Sequence, residues 1–262
     1  MVSASAHTAQ LAERLLRAET ERMEVKQLTD ELPELTVADA YRIQRELVRL
    51  KQTAGQRLIG FKMGLTSRAK QKSMGVDVPI YGHLFEETAL DDGAAVPLDQ
   101  LIHPRAEAEL AFLIGAELSG EHVTAASVSA AVESVVPVIE IIDSRYRDFK
   151  FTLPDVIADN TSASRVVIGR RRARVSEVDL RLTGVVLEKN GEVVATGAAA
   201  AVLGNPLESI ALLVQLLARD SSGLERGQLV LAGAITEAIP VQRGDVVSAA
   251  FDRLGAVTVS FC

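Results

Sequence analysis

The sequence predicts an α+β protein, with a small helical N-terminal region packed on a larger, strand-rich domain. Apolar residues recur at spacings of three and four up to about residue 55, and short apolar runs bounded by Gly, Pro and Asn dominate after that. The strand candidates do not alternate regularly with helices, which argues against a doubly wound sheet or a (β/α)8 barrel. Hydrophobic residues make up 48% of the 262, enough for a substantial core. The helical region is assigned to residues 1–78 and the strand-rich domain to 79–262.

Residues 8–21 read as the first helix, with Leu11, Leu15 and Leu16 as its apolar positions. Pro33 interrupts the pattern. Thr36 then offers an N-cap with Asp39 at the capping-box position, Ala40, Ile43, Leu47 and Leu50 form a stripe, and Gly55 closes the helix. Residues 57–63 form a strand candidate. Ile59, Phe61 and Met63 share one face, and Lys62 takes the other beside Gly60 and Gly64. Strands are also expected at 107–113 and 135–142, the latter nearly all apolar and so buried on both faces, with Pro137 weakening its start. Asn190-Gly191 joins strands 179–187 and 192–197 in a hairpin. Asn205-Pro206 starts a helix with the stripe Ile210, Leu213, Val214 and Leu217. Strands at 229–231, 246–251 and 256–261 complete the chain.

Lys plus Arg number 28 against 35 Asp plus Glu, a net charge of −7, which argues against a nucleic-acid binder. No run reaches the roughly 20 apolar residues of a membrane span. The N-terminal residues lack a basic stretch followed by an apolar one, so a cytoplasmic protein is expected. Cys262 is the only cysteine, which excludes an intramolecular disulfide and a multi-cysteine zinc site. The four histidines show no ligand spacing, and the phosphate-loop, nucleophile-elbow, zinc-protease and dinucleotide motifs are absent.

Glu107 and Glu109 are two apart in a strand, so their carboxylates share a face about 7 Å apart. At an effective dielectric of about 20 they repel by about 2–3 kcal/mol. Glu140 interrupts VVPVIEII, where a buried carboxylate needs a partner. Converging, the three acids make a hard-cation site suited to Mg2+ or Mn2+. Alternatively, Glu107 and Glu109 form the wet face of an edge strand and Glu140 pairs with Arg145. Lys62 is a candidate ligand-facing ammonium, with room left by Gly60 and Gly64, or an ordinary exposed lysine. Asp159, Asn160, Thr161 and Ser162 either hold a substrate group or cap a loop. Thr236 donates to a ligand or is a turn hydroxyl.

These residues fall in five motifs: GFKMGLTS (60–67), MGVDVPIYGHL (74–84), HPRAEAELAF (103–112), VIEIIDSRYRDFKF (138–151) and IADNTSAS (157–164). In that order they resemble the hydratase/decarboxylase branch of the fumarylacetoacetate hydrolase superfamily, from about residue 28 to the C-terminus. The resemblance implies a curved mixed β-sheet roll of that family's C-terminal-domain type. It implies Mg2+ (or Mn2+) on Glu107, Glu109 and Glu140, catalytic roles for Lys62, Asp159 and Ser162, and substrate contacts from Lys62, Asn160, Ser162 and Thr236. The implied substrate is a small 2-oxo dicarboxylate, 2-oxo-3-hexenedioate, losing CO2 in the meta-cleavage breakdown of aromatic compounds. KMGLTS, PIYGHL and SRYRDFKF favour that reaction over the alternative, hydration of 2-hydroxypenta-2,4-dienoate. A non-catalytic partner subunit is a further alternative. A homo-oligomer and a complex with the sister hydratase are implied as well. Arg68, Lys70, Arg145, Arg147 and Lys150 are candidates to meet the distal carboxylate.

Overall fold

Two amphipathic helices carry the N-terminal region in the computed structural model, which describes residues 4–67, 71, 72, 76 and 78–262. Helix α1 (Ala4–Glu21) buries Leu11, Ala12 and Leu15 against α3 (Val37–Thr53), with the single turn α2 (Leu28–Glu31) between them in sequence. Thr36 caps α3 as expected: its Oγ accepts from the Asp39 amide at 3.1 Å, and Asp39 Oδ2 accepts from the Thr36 amide at 3.1 Å. This reciprocal pair satisfies two otherwise orphaned donors. Ala40, Ile43 and Leu47 form the buried stripe of α3, and they share a small core with Ile80, Tyr146, Val156 and Ile157. Gln44 lies on the same face and is fully buried. Its amide donates to the carbonyls of Tyr81 (2.9 Å) and Ile157 (2.8 Å), tying the helical region to the rest of the molecule.

The strands form two main sheets. The larger contains, in spatial order, β2 (Ile80–Phe85), β1 (Leu58–Gly64), β12 (Leu229–Ala234), β5 (Arg105–Ile114), β7 (Val132–Ile142), β8 (Ala163–Ile168) and β3 (Ala89–Asp91), with β13 (Ile239–Pro240) also beside β5. The smaller runs β10 (Glu192–Ala198), β9 (Gly184–Lys189), β14 (Val246–Phe251), β15 (Gly255–Phe261) and β4 (Ala95–Val96). β6 (Leu118–Ser119) and β11 (Gly223–Leu224) pair separately. The β1–β12, β3–β8 and β4–β15 pairs are parallel and the others antiparallel, so both main sheets are mixed. Phe112, Ile139, Val247 and Val257 belong to one core between the sheets, which Leu213 and Val214 of α6 (Pro206–Ala218) extend. Helix α4 (Ala125–Ala131) packs on α6. Residues 199–218 are long and apolar enough to cross a membrane by length and composition, and half of that segment is buried inside the protein.

The structure redraws several expected boundaries. β1 is hydrogen-bonded between β2 and β12, so a division at residue 78 cuts the large sheet; the helical part ends with α3 at Thr53. The strand expected from 179 starts at Gly184, because the Asp179 carboxylate takes the amides of Arg181 (3.1 Å) and Leu182 (3.3 Å) and turns the chain. Pro137 stays inside β7, just beyond the rung Val138↔Ile168 where pairing with β8 stops. The hairpin forms as read, with Asn190 (φ 56°) and Gly191 (φ 81°) both left-handed.

Gly60 is required by close approach. A Cβ there would lie inside the van der Waals shell of the Leu229 carbonyl oxygen, on the backbone of the neighbouring strand. Gly60→Ala is therefore expected to cost on the order of 3 kcal/mol, the upper range for overpacking, read as a lower midpoint in urea unfolding. An unchanged midpoint would show that β1 and β12 separate freely.

His83 of β2 titrates unusually. Burial holds its imidazole down at about 4, from an ordinary value of 6.5. The unfolded chain thus binds the extra proton between these values, and stability falls as pH drops from about 6.5 to about 4, by about 3 kcal/mol for the full shift. His83→Phe keeps a ring against Phe61 (5.1 Å between centroids in the wild type) and is expected to lose that part of the slope. Parallel stability–pH curves for the two proteins would contradict the assignment.

Candidate metal centre and active-site cavity

The register of β5 and β7 sets Glu107 directly opposite Glu140. Opposed residues share a sheet face, and Glu109 shares it with Glu107 by the period of two. One carboxylate oxygen from each of the three lies within 4.8 Å of the others. All three are buried: Glu109 is 0%, Glu140 1% and Glu107 6% exposed. β5 lies between β12 and β7, so these acids are not the wet face of an edge strand. Glu109 Oε2 accepts from the Gly233 amide at 2.9 Å, while Glu109 Oε1 and Glu140 Oε1 have no hydrogen-bond partner among the described residues.

Lys62, on β1, is buried rather than exposed. Its Nζ lies 2.9 Å from Glu140 Oε2 and donates to the Thr161 carbonyl at 3.3 Å. Burial pulls the ammonium pKa down, but the charges of Glu140, Glu109 and Glu107 outweigh it and leave the pKa raised, so Lys62 is cationic at neutral pH. Burial raises Glu109 well above the usual carboxylate range, and the neighbouring Glu140 charge adds to this. Burial also raises Glu140, with Lys62 opposing. Among the described residues, the Lys62 ammonium alone does not neutralise three buried carboxylates. A divalent cation held by the three would lower that charge. The all-oxygen donor set fits Mg2+ or Mn2+.

A cavity of about 500 Å3 opens beside this cluster. Lys62, Glu107, Arg105, Thr161 and Ser162 supply its polar lining, and Leu65, Ile80, Ile142, Phe149, Phe151 and Val156 its apolar walls. A larger groove, of about 960 Å3, runs along α1 and α3 and does not include the cluster. The cavity beside Lys62 has Gly64 in its lining but not Gly60. Gly60 abuts Leu229, and a Cβ at Gly64 would meet the Thr161 side chain at 2.7 Å.

The turn after α5 (Leu153–Ala158) holds the remaining expected residues, in a strained form. Asn160, Thr161 and Ser162 have φ of 48°, 53° and 55°, three consecutive left-handed non-glycine residues that cost about 1 kcal/mol each or more. Arg145 holds the turn in place. It is 2% exposed, pairs through Nε with Asp159 Oδ1, and donates to the carbonyls of Asp143 (2.7 Å), Ala163 (3.2 Å) and Asp159. Arg145 is thus committed to Asp159 and not to Glu140.

The turn brings Ser162 to the cavity, and its hydroxyl is buried with no hydrogen-bond partner among the described residues. It does not bring Asp159 or Asn160 to the lining. Asp159 is engaged by Arg145, and Asn160 brackets the His83 backbone, accepting from its amide at 2.8 Å and donating to its carbonyl at 2.9 Å. Thr236 is also outside the lining, with its Oγ accepting from the Ala108 amide at 3.2 Å. Of the expected distal cations, Lys150 reaches the cavity, Arg147 does not, and Arg68 and Lys70 lie outside the described residues. Sequence reasoning missed Arg105. The strand period that pairs Glu107 with Glu109 also puts Arg105 on their face.

The description "Fumarylacetoacetate (FAA) hydrolase C-terminal" fits residues 60–261, which include every element around this cavity except the helical region. The chain belongs to the fumarylacetoacetate hydrolase family. Within that family it is 46% identical over 251 residues to a 4-oxalocrotonate decarboxylase of Pseudomonas putida, covering 96% of this chain and 95% of the relative. It is 37% identical to the 2-oxo-hept-4-ene-1,7-dioate hydratase of Escherichia coli, with 96% of each covered. The structure of 4-oxalocrotonate decarboxylase from Pseudomonas putida G7, complexed with magnesium and adipate, superposes with a TM-score of 0.96 at 44% identity, covering 98% of this chain and 97% of that one.

Proposed function

We infer that the protein is a divalent-metal-dependent carboxy-lyase that converts 2-oxo-3-hexenedioate (4-oxalocrotonate) to 2-hydroxypenta-2,4-dienoate and CO2 in aromatic catabolism. The observation that carries this reading is the buried trio Glu107, Glu109 and Glu140 with Lys62, at a cavity in a chain 46% identical to a 4-oxalocrotonate decarboxylase. The three glutamates hold Mg2+ or Mn2+. Bound there, the cation supplies a Lewis acid for the oxygen on which negative charge develops.

In the reaction the C5–C6 bond breaks. Its electron pair moves through C4 and C3 to the C2 oxygen, C6 leaves as CO2, and one proton is taken up. Lys62, cationic and held by Glu140 and the Thr161 carbonyl, faces the substrate as counter-charge or proton donor. The unpartnered Ser162 hydroxyl donates to a substrate oxygen. Leu65, Ile80, Ile142, Phe151 and Val156 exclude water along the cavity, which favours dispersal of the departing carboxylate's charge. Asp159, through Arg145, acts as a positioning group for the strained turn, and Asn160 and Thr236 brace the lining from behind.

The hydratase reading stays as the second, because a family hydratase is 37% identical over the full length. Purified protein with 2-oxo-3-hexenedioate is expected to release CO2 in the presence of Mg2+ and not after chelation. Water addition to 2-hydroxypenta-2,4-dienoate without CO2 release from the dicarboxylate would establish the hydratase instead. The reading includes a cytoplasmic location, a homo-oligomer and association with such a hydratase. Exposed Val193 and Val194 on the edge strand β10, with Leu182 just before β9, support a protein contact there.

A further inference from the structure

Arg105 is the first residue of β5, two before Glu107 and directly opposite Ile142. It therefore sits on the cluster's face, two rungs and about 7 Å along the strand from the Glu107/Glu140 rung. It lines the cavity, and among the described residues no carboxylate lies within ion-pair distance of it. Its guanidinium carbon lies 4.3 Å from the centroid of the Phe149 ring. Phe149 (φ 58°) and Asp148 (φ 57°) are consecutive left-handed residues, a strained backbone for a bulky side chain. The strain goes into placing a ring beneath a cation that meets no carboxylate among the described residues.

The charges show what the cation is for. The cluster already gathers three carboxylates beside Lys62. A dicarboxylate then brings two negative charges. Lys62 is committed to Glu140 and Arg145 to Asp159, and Lys150 is 76% exposed and 4.0 Å from Asp148. Among the described residues, Arg105 is the lining cation that pairs with no carboxylate, and it joins Lys62 in facing substrate. A guanidinium clamped on the carboxylate that departs would stabilise the ground state and oppose its loss. On the carboxylate that stays, the same clamp costs nothing in the bond-breaking step.

We propose that Arg105 holds the C1 carboxylate of the 2-oxo acid, the one the product keeps, and so sets which end of the dicarboxylate loses CO2. The proposal rests on the decarboxylase reading for its substrate. The step is the one already written, with the C6 end on the apolar wall.

The test uses 2-oxopentanoate, which has the 2-oxo acid end and lacks the departing carboxylate. Its affinity for the Mg2+-loaded protein is measured by calorimetry, and Mn2+ affinity alongside. Arg105→Met is expected to weaken 2-oxopentanoate roughly 10- to 100-fold, as for loss of a charge-assisted bidentate pair, with Mn2+ affinity kept. Arg105→Lys falls between, since it keeps the charge and loses the fork. Phe149→Leu, which removes the ring from beneath the guanidinium, gives a smaller loss of the same kind and carries the test if Arg105→Met fails to fold. Unchanged 2-oxopentanoate binding in Arg105→Met overturns the proposal, as does weakened adipate binding with 2-oxopentanoate unaffected, which would assign Arg105 to the departing end. Failure of the decarboxylase reading shows separately, as wild-type protein that releases no CO2 from 2-oxo-3-hexenedioate. The binding experiment needs no turnover.

Discussion

Glu107→Gln is expected to weaken Mn2+ binding by at least roughly 100-fold, more than is typical for loss of a group behind a ligand, and turnover should fall with it at limiting metal. The reason is charge as much as geometry. The cluster gathers three buried carboxylates, and their summed negative charge attracts a divalent ion. Gln keeps an oxygen in place and removes one charge. In the metal-free protein it also relieves the repulsion among carboxylates whose oxygens lie within 4.8 Å of one another. Glu140→Gln should match it in metal affinity and differ in stability. It takes from the buried Lys62 its partner at 2.9 Å, and losing one side of a buried pair costs about 3–5 kcal/mol where nothing else compensates. Here Glu107 and Glu109 compensate in part. Calorimetric titration with Mn2+ and thermal melts of both variants check this. Wild-type affinity in both would remove these acids from the metal site.

Lys62→Met carries the second large effect. Lys62 is cationic, buried and on the cavity lining, so it places a positive charge where the substrate's electrons arrive, and it holds a proton to give. General-acid help contributes typically ~10²–10⁴-fold, and turnover is expected to fall within that range. Metal affinity should hold or tighten, because the variant removes a positive charge beside the ion. That split between lost turnover and retained metal separates a role in the reaction from simple collapse of the site. Undiminished CO2 release would take Lys62 out of the mechanism.

Much of the centre was legible because strand geometry is periodic. E-x-E in an apolar strand and a lone acid in VVPVIEII identified the three carboxylates, and glycines around a lysine drew attention to Lys62. Their convergence was not legible, since it depends on the β5–β7 register, a contact between residues some 30 positions apart in the chain. The helix caps at Thr36 and Asn205 were readable because capping is local. Short strands such as β3 and β8 were not, since each is ordered by its neighbours rather than by its own pattern. Asp159 illustrates the same limit. An Asp-Asn-Thr-Ser turn looks equally suited to ligand contact or to capping, and only the position of Arg145, 14 residues earlier, assigns the carboxylate to an ion pair. Arg105 was within reach, being in phase with Glu107, but an arginine near a predicted strand end reads as solvent-facing until Phe149 is seen against it.

Anomalous diffraction from a crystal soaked in Mn2+ tests the central claim most directly. One strong peak is expected among Glu107, Glu109 and Glu140, with an oxygen of each at roughly the 2.0–2.2 Å of a small hard divalent ion. A peak elsewhere, or none between these side chains in a crystal that binds Mn2+ at other sites, would contradict the account.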